Sequence, residues 1–256
     1  MTTKLLNEMV AFSAIAAVFL ALGASSLAEE PATPALQPGK IHIVLAGDST
    51  VTDNAGWGKG FANATKDDVQ VINVARGGRS SSSFIKESSW KKVLDMRPDY
   101  VLIQFGHNDQ PGHGERATDP QTTYRQYMTQ YVEEAIAADI KPVLVTSLSR
   151  RTWRADGKIN PQLEPWADAV KAIAAEKNVP LIDLHALSIA EYEKMGKEGV
   201  LEISPLKNAD PTNPSADTSG QQVDGTHLNE KGSRIFGRMV AHELKKVVPN
   251  LAPHIE

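Results

Sequence analysis

The sequence predicts an α/β protein, with one parallel sheet covered by helices on both faces. Five short apolar runs recur along the chain: Ile41–Ala46, Val69–Ala75, Tyr100–Phe105, Pro142–Thr146 and Val179–Leu184. They are rich in Val, Ile and Leu and do not alternate with polar residues, which is the pattern of strands buried on both faces. Between them lie segments whose apolar residues fall three and four apart, the period of amphipathic helices. Strands alternating with helices imply βαβ units with right-handed crossovers. The expected architecture is a three-layer α/β/α sandwich of flavodoxin-like type, its five-stranded sheet in the order 2-1-3-4-5.

The helical segments each carry one apolar stripe. In Gln121–Ala138 it is Tyr124, Tyr127, Met128, Tyr131, Ala135 and Ile136. In Pro165–Lys177 it is Trp166, Ala167, Val170, Ala172 and Ile173. In Asn229–Val248 it is Ile235, Phe236, Met239, Val240, Leu244 and Val248. Aromatic residues in such stripes belong to the core rather than to a ligand.

The first residues read differently. Lys4 precedes the apolar run Met9–Gly23, and small residues follow as far as Ala28. A short apolar run with a small-residue cleavage pattern is a secretory signal peptide over residues 1–28. It is too short for a bilayer span, which needs about 20 apolar residues. The alternatives are an amphipathic N-terminal helix or an uncleaved anchor. Residues 29–39 are rich in Pro and Ala and read as a linker. One domain is expected over residues 40–256, secreted or periplasmic, monomeric, and free of the membrane once the leader is cleaved.

Composition narrows the function. The net charge of −4 gives no general attraction to nucleic acid or to anionic membranes. The chain has no cysteine, which excludes disulfides, thiolate zinc sites and a cysteine nucleophile. No His/Asp/Glu spacing resembles a metal motif such as HExxH, and no cofactor is expected.

Ligands of such sheets bind beyond the carboxyl ends of the strands. After the first strand comes Gly47-Asp48-Ser49-Thr50. After the second comes Arg76-Gly77-Gly78-Arg79-Ser80, and after the third Gly106-His107-Asn108-Asp109. Before the last helix lies Asp224-Gly225-Thr226-His227. Each alone is ordinary: a helix N-cap, a glycine turn, an Asn-Asp turn, a capped loop with a surface histidine.

Together they supply an acyl-transfer site. A serine hydroxyl needs a base within hydrogen-bond reach, and His227 can be that base for Ser49. A carboxylate must orient the imidazole, and Asp224 lies three residues before it. The oxyanion of a tetrahedral intermediate needs preorganised donors. The N–H groups of Ser49 and Gly78 and the side-chain amide of Asn108 are the candidates.

These blocks resemble the four sequence blocks of the SGNH (GDSL-type) hydrolases. Thr50, Gly78-Arg79-Ser80 and Gly106-His107-Asn108-Asp109 are most similar to the rhamnogalacturonan acetylesterases. So are Ser149-Arg150-Arg151-Thr152-Trp153, Asp156-Gly157-Lys158 and Val179–His185. The resemblance covers the chain from Ile41 to about Val248. It implies a serine esterase with Ser49 as nucleophile, Gly78 and Asn108 as oxyanion donors, Asp224 as orienting carboxylate and His227 as base. It also implies an acetylated polysaccharide or oligosaccharide as substrate, pectic rhamnogalacturonan first.

Other residues carry open readings. His185, in Asp183-Leu184-His185, is the competing base. His107 supports Asn108. Arg79 and Trp153 are the candidates for substrate contact, with an Arg–carboxylate pair as the alternative for Arg79. Trp57 packs below the first loop rather than stacking on a sugar. Arg150, Arg151 and Arg154 line the groove. The loops Gln110–Gln121 and Ser204–Val223 are polar, which argues against a lipid substrate. Two alternatives remain: an esterase for another acetylated glycan such as xylan, or a lipid or thioester, and a non-catalytic sugar- or phosphate-binding module using Gly77-Gly78 as an anion nest.

Overall fold

The structure, a computed structural model, describes residues 35–207 and 222–256. The leader at 1–28, the start of the linker and most of the loop Ser204–Val223 lie outside the described residues.

Five parallel strands form one sheet: β1 (Ile41–Gly47), β2 (Val69–Asn73), β3 (Tyr100–Gln104), β4 (Lys141–Val145) and β5 (Leu181–Ile182). Their order is β2-β1-β3-β4-β5, as expected. Side chains alternate across a strand, so β1 splits its residues between two cores. Ile43 and Leu45 enter one, with Trp57, Phe61, Tyr192, Phe236 and Val240. Val44 and Ala46 enter the other, with Phe84, Trp90, Tyr124, Tyr131 and Ile173. Burial on both faces is why these strands read as continuous apolar runs.

Among the described residues, seven α-helices flank the sheet: α1 (Gly58–Ala62), α2 (Ser81–Lys86), α3 (Ser89–Met96), α4 (Thr123–Ala137), α5 (Glu164–Lys177), α6 (Leu184–Gly199) and α7 (Glu230–Val247). Helices α4, α5 and α7 lie where the apolar stripes put them, within two residues at each end. One stripe member departs, since Ile136 is half exposed. Strand β5 is shorter than the expected Val179–Leu184. The Asp183 carboxylate accepts the Ala186 N–H and starts α6 there.

The N-terminus of helix α7 delivers the last of the four loops. The Asn229 side chain caps it by accepting the Gly232 N–H at 3.0 Å. Gly237 packs directly on the backbone of Gly60 in α1 and leaves no room for a Cβ. That contact, with the Ser233 carbonyl packed on Gly60, ties α7 to the segment that follows β1. Among the described residues, no helix is long and apolar enough to cross a membrane.

Candidate active site

No helix begins at the first loop, so Ser49 is not a cap. β1 ends at Gly47, and the next side chains are held by a buried relay. Asp48 Oδ1 accepts from Thr50 N at 2.9 Å and from Thr50 Oγ1 at 2.7 Å. Thr50 Oγ1 accepts from Gln104 Nε2 at 2.7 Å, and Gln104 Oε1 accepts from Trp57 Nε1 at 2.9 Å. Asp48, Thr50, Gln104 and Trp57 are fully buried, while Ser49 between them is partly exposed. The turn thus fixes its two neighbours and presents the one hydroxyl.

The fourth loop meets that hydroxyl. Asp224 Oδ1 accepts the Thr226 N–H at 2.7 Å and the His227 N–H at 3.0 Å. Asp224 Oδ2 lies 2.7 Å from His227 Nδ1. His227 Nε2 lies 2.7 Å from Ser49 Oγ. Burial alone would raise the Asp224 carboxyl. The His227 ring and the two N–H donors outweigh it and hold the pKa at about 2. An ionised carboxylate can only accept, so Nδ1 carries the ring proton and Nε2 is left bare to accept from Ser49.

The second and third loops stand beside this line. Gly78 has φ +78°, a left-handed conformation that suits glycine. A Cβ on Gly77 would stand 3.7 Å from that of Ser49, so the turn borders the hydroxyl. Asn108 Nδ2 donates to the Arg79 carbonyl at 3.0 Å, leaving its second N–H for another acceptor. Among the described residues the N–H groups of Ser49 and Gly78 have no acceptor. Asp109 ties the two loops together: it accepts from Ser81 N at 3.1 Å, Ser81 Oγ at 2.5 Å and Thr118 Oγ1 at 2.9 Å. Burial, opposed by those donors, raises its carboxyl to about 7.

His107 is buried with its Nδ1 3.6 Å from Asp48 Oδ2, beneath the serine turn. Burial lowers its pKa, so it stays neutral. The side chain it meets is thus Asp48 rather than Asn108. His185 does not compete for the serine, since its Nδ1 lies 3.1 Å from the Ser147 carbonyl oxygen, inside the protein.

The two residues assigned to substrate contact are both engaged within the fold. Arg79 Nε donates to Glu87 Oε2 at 2.9 Å and Nη1 to the Gly77 carbonyl at 2.9 Å. Trp153 bridges to Ile159 and packs against the core. Trp57 is buried in the core, as expected.

Arg150 spans two loops, with Nη1 donating to Thr226 Oγ1 at 2.6 Å and Nη2 to Gln110 Oε1 at 3.1 Å. Arg151 does not line the groove. It is buried, and its Nη2 donates to the carbonyls of Asp224, at 2.8 Å, and of His227. Adjacent arginines in a sequence give no sign of which one turns inward. Among the described residues, no cluster of three His, Asp or Glu side chains is placed to hold a metal ion.

A sheet of this order with serine, imidazole and carboxylate in line at a strand end defines the serine ester hydrolases. The chain matches the GDSL-like lipase/acylhydrolase family model over residues 44–235. It is 36% identical over 226 residues to rhamnogalacturonan acetylesterase RhgT of Bacillus subtilis strain 168, covering 84% of this chain and 94% of that one. It is 35% identical over 215 residues to "Probable rhamnogalacturonan acetylesterase YesY" of the same organism, covering 80% and 93%. The crystal structure of protein YxiM from Bacillus subtilis superposes with a TM-score of 0.67 at 25% identity. That match covers 81% of this chain and 56% of YxiM, so the chain spans about half of that protein. The protein belongs to the GDSL-like lipase/acylhydrolase family.

Proposed function

We propose that the protein is a secreted carbohydrate esterase that removes O-acetyl groups from pectic rhamnogalacturonan through an acetyl-enzyme on Ser49. The 2.7 Å contact between His227 Nε2 and Ser49 Oγ is the observation that carries this reading. Ser49 Oγ attacks the acetyl carbonyl carbon and passes its proton to His227 Nε2. The carbonyl oxygen becomes an oxyanion, stabilised by the N–H groups of Ser49 and Gly78 and by the Asn108 amide. Collapse breaks the bond to the sugar oxygen, which takes the proton from His227. Water then attacks the acetyl group and gives its proton to His227, which returns it to Ser49 as acetate leaves. Asp224 stabilises the imidazolium in both halves without taking a proton.

Two features favour an acidic glycan. The two rhamnogalacturonan acetylesterase-named relatives align over nearly their whole length. Arg116 uses only Nη1 among the described residues, on the Gly78 carbonyl, and so holds a cationic group beside that loop on a chain of net charge −4. Such a group suits the carboxylates of uronic acid residues.

Acetate release from acetylated rhamnogalacturonan and from acetylated xylan tests the substrate. Faster release from xylan would reject the pectic assignment. Secretion as a monomer, with cleavage after Ala28, belongs to the same proposal. N-terminal sequencing of the exported protein and its sedimentation test those two points.

A further inference from the structure

We infer that Arg79 is a positioning residue of the oxyanion site, acting on both donors that the loops supply. This rests on the reading of Gly78 and Asn108 as those donors. The Gly77 carbonyl and the Gly78 N–H are two ends of one amide. Arg79 Nη1 donates to that carbonyl at 2.9 Å. A cationic donor on the oxygen draws electron density from the nitrogen and strengthens the N–H as a donor.

The same bond fixes the orientation of the amide. A Gly-Gly peptide is easily flipped, because neither residue has a Cβ to resist rotation. A flip would turn the N–H away from the oxyanion and put the carbonyl oxygen in its place. Arg79 blocks it, and Glu87 anchors Arg79 through a 2.9 Å bond to Nε. Arg116 holds the next peptide by donating to the Gly78 carbonyl at 2.6 Å.

The main chain of Arg79 reaches the second donor. Its carbonyl accepts one N–H of the Asn108 amide at 3.0 Å and so aims the other. One residue therefore sets the Gly78 donor with its side chain and the Asn108 donor with its backbone. Nε and Nη1 are already used within the protein, which is a positioning arrangement rather than a substrate fork.

The test uses p-nitrophenyl acetate, a neutral ester with no sugar, alongside acetylated rhamnogalacturonan. Arg79→Met is expected to lower kcat about tenfold on both esters, less than the ~10²–10³ lost when a donor is removed outright. KM for p-nitrophenyl acetate stays unchanged, and Arg79→Lys recovers part of the lost kcat. Glu87→Gln, which frees the guanidinium from its anchor, lowers kcat in the same direction and carries the test if Arg79→Met does not fold. Unchanged kcat on p-nitrophenyl acetate in Arg79→Met, or in a folded Glu87→Gln standing in for it, overturns the inference, whether or not KM for the polysaccharide rises. Ser49→Ala separates the levels. If it is inactive while Arg79→Met is unaltered, only this inference falls; if it is fully active, the hydrolase mechanism falls as well.

Discussion

His227 Nε2 stands 2.7 Å from Ser49 Oγ, joining residues 178 positions apart in the chain. The sheet end supplies one partner and the approach to α7 the other. Packing of Gly237 on Gly60 brings α7 against the helix that follows the serine loop. The site is therefore as rigid as the two layers that carry it.

Asp224 is held at about 2 against the upward push of burial, so it is ionised throughout the working range. Its depressed carboxyl adds stability that is complete above about pH 4 and lost as pH falls toward about 2. Asp224→Asn should flatten the acid arm of a plot of Tm against pH. It should also lower kcat by about 10³–10⁴ at neutral pH, because an amide no longer selects the Nδ1–H tautomer.

Asn108→Ala removes one of the proposed oxyanion donors and leaves Ser49 and His227 in place. Steady-state kinetics on p-nitrophenyl acetate should show kcat lowered by about 10²–10³ with KM little changed. An equal rise in KM with kcat preserved would make Asn108 a substrate ligand instead.

Arg151→Met leaves the carbonyls of Asp224 and His227 without the buried guanidinium that holds them. Urea unfolding should show a loss of about 3–6 kcal/mol, from the two carbonyl hydrogen bonds to a charged donor. The Asp224–His227 loop should loosen with it, so kcat should fall more than the folded fraction does.

Asp109 behaves in the opposite sense to Asp224. Burial, together with the nearby Asp48, raises its carboxyl to about 7 despite the Ser81 and Thr118 donors. A raised acid favours the fold fully below its unfolded pKa of about 4, and that benefit is lost as pH rises through about 7. Tm should therefore decline from about pH 4 to 7 in the wild type and less in Asp109→Asn.

Much of the fold is legible in the sequence because β1, β3 and β4 are buried on both faces and read as unbroken apolar runs. The four loops follow from the strands, since parallel strands end on one edge. Helices α1 and α2 are too short to show an apolar period, and α3 shows one only over the eight residues that carry Trp90, Val93 and Leu94. Helix α2 opens on a serine run in which Ser80 and Ser83 cap each other, a composition that reads as loop. Strand β5 reads too long because the apolar run passes through Asp183, whose side chain already belongs to α6.

In the site, Ser49, Asp224 and His227 can be placed from residue type and spacing. The roles of Arg79 and Arg151 cannot. Each depends on which carbonyl its guanidinium meets, a contact that no residue pattern encodes. Arg79 reads equally as a substrate ligand or as half of an Arg–carboxylate pair, because a basic residue beside a glycine turn looks the same whether it faces outward or grips the turn; the structure shows the pair, with Glu87.

Covalent labelling tests most directly whether Ser49 is the nucleophile. The wild-type protein is treated with a fluorophosphonate and the modified peptide is identified by mass spectrometry. A single adduct is expected on Ser49, lost when Ser49→Ala replaces the wild type. An adduct on another residue, or none on a protein that still hydrolyses p-nitrophenyl acetate, would contradict that role.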